Sequence, residues 1–401
     1  MASRASTPPW SWRRSDAMTA IAKALRLSCV ALVLLWAGGP GHAQSQEELM
    51  EETLPPPSAR LDLLRAKLKP RMENGQAVWE YELVVSERKL RLADGTMYKV
   101  WSFGGSIPGP TLVAREGDRV RIRLVNETSN PHSLHSHGLW VPHRMDGAPH
   151  PHPAGQSHEG MELPVWANPV PPGQSYTYEY IARPAGTHWY HCHVNTNEHL
   201  DRGMSGALII LPRTAEPAVD QDLVMLLDEW NRDYADMGTP GHPRDSGLYD
   251  IFTINGRSYP ETESFHPRLG DVVRVRFINA GALSHSMHLH GHEFLVTHKD
   301  GQPLTDPALM DTVTLGPGER VDIVFVANNP GDWPLHCHSS PHVTNAGRYP
   351  GGMMAHFLVG PERFPKKGEG PVGPGIRSLR ELWRASALRA LKVDVEKGPA
   401  P

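Results

Sequence analysis

Two His-Cys-His triplets, at residues 191–193 and 336–338, contain two of the three cysteines in this 401-residue chain. A His-x-x-His-x-His motif precedes each triplet, at residues 132–137 and 285–290, and a further histidine and a Gly-Met pair follow it. Imidazole and thiolate groups are ligands of copper and zinc in proteins. Because the same order of residues occurs twice, the sequence indicates metal chemistry in both halves of the chain.

The alternation of side chains along a β-strand divides these residues into sets. Successive side chains of a strand point to opposite faces of the sheet. The cysteine of each triplet therefore faces away from the two histidines beside it, and His132 faces away from His135 and His137. Each half of the chain is expected to hold two ligand sets, back to back.

The first kind of set predicts a blue-copper site in each half. Two imidazoles, one thiolate and a distant thioether are the ligands of blue-copper electron-transfer sites. The predicted ligands are His132, Cys192, His199 and Met204 in the N-terminal half, and His285, Cys337, His342 and Met353 in the C-terminal half.

The two thioether positions are not equally spaced from the preceding histidine. Met204 lies five residues after His199, whereas the additional segment 343–352 separates Met353 from its histidine. The shared Gly-Met pair aligns Met353 with Met204, and Met354 is the neighbouring alternative ligand.

The remaining eight histidines suit a cluster of several copper ions. They are His135, His137, His191, His193, His288, His290, His336 and His338. Each triplet cysteine is joined through its own backbone to two of them, which gives electrons a short covalent route between the two kinds of site. Structural zinc uses few ligands in a closed tetrahedral set, and this repeated set is larger than zinc requires.

Two segments that repeat in order predict two similar β domains. Residues 117–126 and 270–279 match in residue type, and the first alternates apolar and charged residues as a half-buried strand does. With 37 glycines and 38 prolines, the composition favours a turn-rich, all-β fold. A long internal repeat indicates two domains, which we predict at residues 76–213 and 222–361.

The flanking segments carry other signals. Residues 1–43 are typical of an export signal, since basic residues precede an apolar run at 27–36 that is too short to span a membrane. The mature protein is therefore expected to be periplasmic or secreted, without a membrane anchor. Residues 44–75 are expected to form a loosely held arm, and the basic tail 362–401 to contain one helix near 379–393. The formal net charge of −4 gives no indication of nucleic-acid binding.

The four histidine motifs resemble those of the multicopper oxidases, and more closely those of the two-domain, laccase-like members, over residues 78–360. This resemblance implies two cupredoxin domains, which are Greek-key β-sandwiches. It also implies one-electron oxidation of a small reducing substrate at a type 1 (blue) copper. Four electrons would then reduce O₂ to water at a trinuclear cluster of type 2 and type 3 copper, with the eight histidines as its ligands.

The same resemblance implies an assembly and a proton relay. Two-domain members form homotrimers in which each cluster lies between neighbouring subunits, and most keep the blue-copper ligands in one domain, whereas this chain keeps them in both. Asp146, nine residues after His137, resembles the family's relay aspartate, although an Asp before Gly147 is also typical of a turn. Val343 replaces the acidic residue that some members have after the last blue-copper histidine.

The reducing substrate is the most open question at the level of sequence. Oxidation of phenols is favoured, because it requires only an accessible blue copper. A stretch rich in histidine at 143–161 would suit Cu(I), but it is more typical of a surface loop. A Cu(I) oxidase or a copper-binding resistance protein is therefore the alternative. A copper nitrite reductase is disfavoured, because it would leave most of these histidines without a role.

Overall fold

The computed structural model describes residues 50–149, 169–231, 249–360 and 376–397. The predicted export signal and most of the 143–161 stretch lie outside the described residues. Within the described ranges, no helix combines the length and the apolar character needed to cross a membrane.

Two β-sheets form the N-terminal domain. In chain order their strands are β1 (Arg71–Glu73), β2 (Gln76–Arg91), β3 (Met97–Phe103), β4 (Gly109–Arg115), β5 (Arg119–Asn126), β6 (His135–His137), β7 (Ser175–Ile181), β8 (Gly186–His191) and β9 (Ser205–Leu211). One sheet has the order β1-β2-β5-β7, with β3 also paired to β2, and the other has the order β4-β9-β8-β6. Side chains from both sheets meet in one apolar core, so the domain is a β-sandwich.

The C-terminal domain is built in the same way. Its strands are β10 (Gln221–Trp230), β11 (Ile251–Ile254), β12 (Val272–Asn279), β13 (His285–Leu289), β14 (Phe294–Lys299), β15 (Gln302–Met310), β16 (Thr312–Leu315), β17 (Arg320–Val326), β18 (Gly331–Cys337) and β19 (Met354–Val359). The sheets have the orders β11-β10-β12-β17-β14-β15 and β16-β13-β18-β19, and they enclose a second core. The prediction of an all-β fold made of two sandwiches is confirmed.

Strands β5 and β12 have similar sequences, but β5 is partly exposed to solvent and β12 is buried. In β5 the apolar residues point into the core, and the arginines between them are exposed or partly exposed. In β12 both faces are buried, and Arg274 and Arg276 form ion pairs with the buried Asp222 at N–O distances of 2.5 and 2.8 Å. Buried charges cost free energy unless they are paired, so these ion pairs allow β12 to lie within the contact between the domains.

The two sandwiches share an extensive contact. Trp189 and Ile209, on the outer face of the β8–β9 pair, pack against Ile278 of β12. Beside this apolar contact, Thr187 Oγ1 donates a hydrogen bond of 2.7 Å to Asp322 Oδ1. Strand β8, which leads into the first His-Cys-His triplet, is therefore held on its outer face by the C-terminal domain.

The N-terminal arm is not loosely held in its described part. Leu54 N donates to Gly105 O in the first sandwich, and Val224 N of the second sandwich donates to Ala59 O in the arm, both at 2.8 Å. Leu61 is 1% exposed and joins the apolar contact between the domains. The expectation of a loose arm was wrong. The segment is mostly charged, but it contains a few apolar residues, such as Leu61, that are buried where the two domains meet.

The described ranges also contain three α-helices, α1 (Leu61–Arg65), α2 (Thr196–Asp201) and α3 (Ile376–Lys397), and short 3₁₀ helices at His143–Met145 and Ser340–Val343. Helix α3 includes and extends the helix predicted near 379–393. Its residues Leu379 and Trp383 pack against Leu295 and Val324 of the C-terminal sandwich, so the helix is anchored to the domain by apolar contacts.

Candidate metal centres

Strand pairing brings each triplet beside the histidine motif that precedes it. Strand β6 pairs with β8 so that His135 lies opposite His191. Strand β13 pairs with β18 so that His288 lies opposite His336 and Met287 lies opposite Cys337. Both triplet cysteines are fully buried in the sandwich cores. The histidines and the cysteine of each triplet therefore point to opposite sides of the sheet, as the alternation of side chains requires.

His132, Cys192 and His199 form the N-terminal thiolate cluster, and all three are buried. The Nδ1 atoms of the two histidines are 3.2 Å apart, and the sulfur lies 3.9 Å from Nδ1 of His132 and 3.0 Å from Nδ1 of His199. A point within this triangle is about 2 Å from all three atoms, which is close to the length of metal bonds to imidazole and thiolate. The cluster therefore fits one metal ion.

His285, Cys337 and His342 form the C-terminal thiolate cluster, with the same shape. Its two Nδ1 atoms are 3.1 Å apart, and the sulfur lies 4.0 Å from Nδ1 of His285 and 3.4 Å from Nδ1 of His342. All three side chains are buried. Two imidazoles and one thiolate are the chemistry of a copper site, and both halves of the chain have it.

Two methionines occupy matching positions beside these clusters. Met204 N donates to His199 O, and Met204 O accepts from Cys192 N, both at 3.1 Å. Met353 makes the same two bonds with the second histidine and the cysteine of its own cluster, at 2.8 and 3.0 Å. Met353, and not Met354, is therefore the backbone counterpart of Met204.

The additional segment 343–352 does not displace Met353 because it folds back on itself. Gly351 N donates to Val343 O at 2.9 Å, and Gly352 N donates to the side-chain oxygen of Asn345 at 2.8 Å. Gly352 has a φ of +60°, a conformation that glycine adopts without strain. The two ends of the segment are therefore adjacent, which reconciles the unequal spacing in the sequence with the equal geometry of the two clusters.

The N-terminal thiolate cluster has neutral surroundings at its first histidine. His132 Nε2 lies 2.7 Å from the hydroxyl of Thr128. Burial, together with the neighbouring His199, lowers the pKa of His132 to about 3. Burial also raises the pKa of the Cys192 thiol to about 11. Without metal, this cluster holds a neutral imidazole and a neutral thiol at pH 7.

The C-terminal thiolate cluster has a carboxylate at the matching place. His285 Nε2 lies 3.1 Å from Glu229 Oε2, and the Glu229 side chain is 1% exposed. Burial alone would lower the pKa of the His285 imidazole. Its hydrogen bonds to Cys337 and Glu229 have a larger effect and raise this pKa to about 9. Burial alone would raise the pKa of the Cys337 thiol, but its hydrogen bonds to His285 and His342 have a larger effect and lower this pKa to about 6.

The N-terminal histidine cluster comprises His135, His137, His191 and His193. The ring of His135 lies 5.1 Å from that of His191 and 5.4 Å from that of His193, between centroids. Nδ1 of His135 donates to Asp146 O at 2.8 Å, and Nδ1 of His191 donates to Cys192 O at 3.0 Å. A hydrogen bond at one ring nitrogen fixes the tautomer and orients the other nitrogen for metal binding.

The C-terminal histidine cluster comprises His288, His290, His336 and His338. Nε2 of His290 and Nε2 of His336 are 3.0 Å apart. Nδ1 of His336 donates to Cys337 O at 2.9 Å, which repeats the arrangement at His191. In contrast to the N-terminal histidine cluster, two members, His290 and His338, are exposed.

Each histidine cluster belongs to one domain. In the part of the chain that the structure describes, the ring contacts of the eight histidines with one another stay within the N-terminal set or within the C-terminal set. The two sets share the same pattern of ring contacts.

Asp146 lies beside the N-terminal histidine cluster, with Oδ1 3.3 Å from Nδ1 of His135. Burial lowers the pKa of His135, but hydrogen bonds to Asp146 outweigh it and raise that pKa. Asp311 lies at the corresponding place in the other domain, where its backbone oxygen accepts from Nδ1 of His288 at 2.8 Å. Sequence reasoning missed Asp311, although both aspartates follow a methionine. It also missed Glu229, because nothing nearby in the sequence links it to a cluster.

Two sequence profiles of the family described as Multicopper oxidase match this chain, over residues 84–215 and 232–363. The chain belongs to the multicopper oxidase family. The resemblance drawn from the histidine motifs is thereby confirmed.

Solved members of this family have similar structures over nearly their whole length. The multicopper oxidase mgLAC is 39% identical with a TM-score of 0.64, over 73% of this chain and 89% of that one. The blue copper oxidase of Nitrosomonas europaea is 34% identical with a TM-score of 0.63, over 76% and 94% of the two chains. These likenesses support the cupredoxin-like architecture.

A curated relative is longer than this chain. The multicopper oxidase MmcO of Mycobacterium tuberculosis is 28% identical over 272 residues, which cover 60% of this chain and 50% of that protein. The chain thus spans about half the length of this relative.

Proposed function

We propose that this protein is a laccase-type oxidase that removes single electrons from phenols or similar small molecules and reduces O₂ to water. The observation that carries the proposal is the joining, in both domains, of a buried thiolate cluster to a histidine cluster through one His-Cys-His triplet. Copper, when bound, would supply the one-electron chemistry and the binding of O₂. The backbone on either side of the cysteine would connect the site of substrate oxidation with the site of O₂ reduction.

We assign type 1 copper to both thiolate clusters, with Met204 and Met353 as the distant thioether ligands. The two histidine clusters would provide the ligands of type 2 and type 3 copper in a trinuclear centre. The donor chemistry supports this, because imidazole and thiolate suit copper, whereas hard cations such as Ca²⁺ and Mg²⁺ prefer oxygen ligands. The hydrogen bonds at Nδ1 in both histidine clusters support it as well, since they orient Nε2 of the same rings as the metal-binding atom.

We propose Asp146 as the proton donor or relay for O₂ reduction. Its carboxylate is beside His135 and 30% exposed, so it can exchange protons with water and still lie next to the cluster. Asp311 is a second candidate in the C-terminal domain. Its carboxylate accepts a hydrogen bond of 3.0 Å from Thr312 Oγ1, while only its backbone oxygen contacts His288, so its contribution should be smaller.

We propose a homotrimer in which the N-terminal histidine cluster of one subunit faces the C-terminal histidine cluster of the next. The separation of the two clusters by domain supports this assembly, because each one alone is half of a trinuclear site. The exposure of His290 and His338 supports it too. Trp140, three residues beyond His137, is 68% exposed, and a large aromatic side chain at this position suits a subunit interface.

We propose that the protein is exported and works in the periplasm or outside the cell. The support is the leader-like pattern of residues 1–43, in which basic residues precede a short apolar run. In such a compartment small phenols and O₂ are accessible to the enzyme, and so is Cu(I), the alternative substrate.

Oxygen uptake by the copper-loaded protein tests the proposed function. We expect uptake with a phenolic substrate. The His193→Ala and His338→Ala variants should keep their blue colour, because the thiolate clusters are intact, but lose oxygen uptake. The control is His266→Ala, which removes an exposed histidine outside all four clusters and should leave uptake unchanged.

Three outcomes of this experiment would contradict the proposed function or the assigned copper sites. Uptake with Cu(I) but not with the phenol would make the protein a metal oxidase. Absence of uptake from a blue, loaded protein would make it a copper-binding or electron-transfer protein. Full uptake by both histidine variants would contradict the assignment of the trinuclear site.

A further inference from the structure

The two thiolate clusters have opposite charges next to them. In the C-terminal cluster, the buried carboxylate of Glu229 lies 3.1 Å from Nε2 of His285. In the N-terminal cluster, the Arg202 side chain is 6% exposed, and its Cζ lies 4.9 Å from the centre of the Trp101 ring. That ring contacts His199, with centroids 4.7 Å apart. One cluster thus has an anion in contact with a histidine, and the other has a cation one ring away.

The surroundings of Glu229 and Arg202 allow each charge to act on the thiolate cluster beside it. Two backbone N–H groups, of Ala282 and Leu283, donate to Glu229 Oε1 at 2.5 and 2.9 Å. They fix the carboxylate so that its other oxygen faces His285. Arg202 pairs with Glu198 at 3.3 Å, but the Glu198 side chain is 29% exposed, so water screens that carboxylate more than it screens the arginine.

We propose that the two blue-copper sites have different reduction potentials, and that Glu229 is the positioning residue that makes the C-terminal site the lower of the two. This inference rests on the proposed function, since it requires copper in both thiolate clusters. It goes beyond that function because it ranks the reduction potentials of two sites that have the same ligands.

The physical reason is the charge that copper gains on oxidation. Cu(II) carries one positive charge more than Cu(I), so a nearby anion favours the oxidised ion and a nearby cation favours the reduced ion. Such interactions are stronger in a buried site than in water. The hydrogen bond from the His285 ring to the Glu229 carboxylate also makes this imidazole a stronger donor, whereas the hydroxyl of Thr128 beside His132 has no charge. Both effects lower the potential of the C-terminal site relative to that of the N-terminal site.

The ordering has a consequence for a partly reduced enzyme. An electron shared between the two sites rests mainly at the site with the higher potential. The N-terminal copper should therefore be reduced first, and the C-terminal copper last, when a reductant is added stepwise.

Potentiometric titration of the visible copper–thiolate absorption tests this order. Cys192→Ser leaves only the C-terminal blue site, and Cys337→Ser leaves only the N-terminal one, so each midpoint can be measured in the trimeric, copper-loaded protein. We expect the lower midpoint in Cys192→Ser. Adding Glu229→Gln to Cys192→Ser should raise the ratio of reduced to oxidised copper at a fixed potential by about tenfold or more, which corresponds to about 59 mV for a one-electron couple.

Matched variants separate charge from structure. Glutamine can still accept the two backbone hydrogen bonds, but its amide nitrogen then faces Nε2–H of His285, so Glu229→Gln removes the charge together with the hydrogen bond to His285. Glu229→Asp keeps the charge and should leave the C-terminal site the lower one. The control Glu261→Gln removes a carboxylate that is 58% exposed and should not change the midpoint.

Several results would overturn the inference. One is equal midpoints in the two single-cysteine variants, and another is a blue Glu229→Gln protein with an unchanged midpoint. If Glu229→Gln did not fold, the midpoints of the two cysteine variants would still decide the order. Lack of blue colour in one cysteine variant would instead mean a single blue site and would refute the assignment of copper to both thiolate clusters. The oxidase function is tested separately, by oxygen uptake.

Discussion

The N-terminal and C-terminal thiolate clusters have nearly the same shape but different surroundings. Their Nδ1–Nδ1 distances are 3.2 and 3.1 Å, and both methionines are attached by the same pair of backbone hydrogen bonds. Yet a hydroxyl contacts one cluster and a carboxylate the other. The backbone of a sandwich therefore determines the ligand geometry, whereas side chains from neighbouring strands and loops determine the electrostatics.

The largest effect should come from removing either cysteine. Cys192→Ser and Cys337→Ser should each abolish the blue absorption of one cluster and leave that of the other, because each cluster has its own thiolate. The visible spectrum of the copper-loaded variants measures this, with the double variant as the colourless control. If one substitution removed all colour, the two clusters would not be equivalent ligand sets.

Substitution of the aspartates should show which domain provides the protons. Asp146→Asn should slow oxygen turnover by about a hundredfold or more, since a positioned proton donor contributes about 10²–10⁴-fold. Asp311→Asn should have a smaller effect, because only its backbone oxygen contacts a cluster histidine. Steady-state oxygen uptake with a phenolic substrate gives both values. A larger loss for Asp311→Asn would reverse the proposed roles.

Alanine substitution of the glycine before each methionine, Gly203 or Gly352, should destabilise the protein to different extents. A Cβ at Gly352 would lie 2.2 Å from the backbone oxygen of His342, whereas a Cβ at Gly203 would lie 2.4 Å from the Cδ1 of Ile107, a side chain that can move. Both glycines have positive φ. Gly352→Ala should therefore lower the free energy of unfolding by about 3 kcal/mol, and Gly203→Ala by less. Denaturant unfolding of the metal-free protein measures both, and equal losses would contradict this explanation.

The smallest effect concerns the ionisation of the two thiols in the metal-free protein. The Cys192→Ser variant, which retains Cys337, should form its thiolate with a midpoint near pH 6. The Cys337→Ser variant, which retains Cys192, should do so only near pH 11. Ultraviolet absorbance of the thiolate follows both titrations.

This difference also predicts the sign of a stability change with pH. The lowered pKa of Cys337 stabilises the folded protein above the ordinary thiol pKa of 9.0, and this contribution is lost as the pH falls through about 6. A raised pKa, as at His285, contributes below the ordinary value of 6.5 and is lost as the pH rises through about 9. Coinciding thiol midpoints would show that the two environments do not differ as described.

The sequence predicts the part of this molecule that depends on strand alternation. The spacing in His-x-x-His-x-His and His-Cys-His was enough to separate thiolate from histidine sets, because side chains alternate along a strand. The resemblance to the multicopper oxidases, now confirmed for the family, supplied the architecture and the proposed chemistry.

The rest depends on contacts between residues that are distant in the sequence. Glu229 lies 56 residues before His285, so no local pattern could connect them. Asp311 was missed because its distance from the histidine motif differs from that of Asp146. The arm at Leu61 was misjudged because its burial requires both domains at once.

The stoichiometry of oxygen consumption shows most directly whether the protein is a four-electron oxidase. The copper-loaded protein should consume one O₂ for every four one-electron oxidations of a phenolic substrate, with water and no hydrogen peroxide as the product. This ratio requires a thiolate site and a complete histidine site that act together. A blue, fully loaded protein that consumes no O₂ in the presence of the phenol, or that releases hydrogen peroxide as its main product, would contradict it.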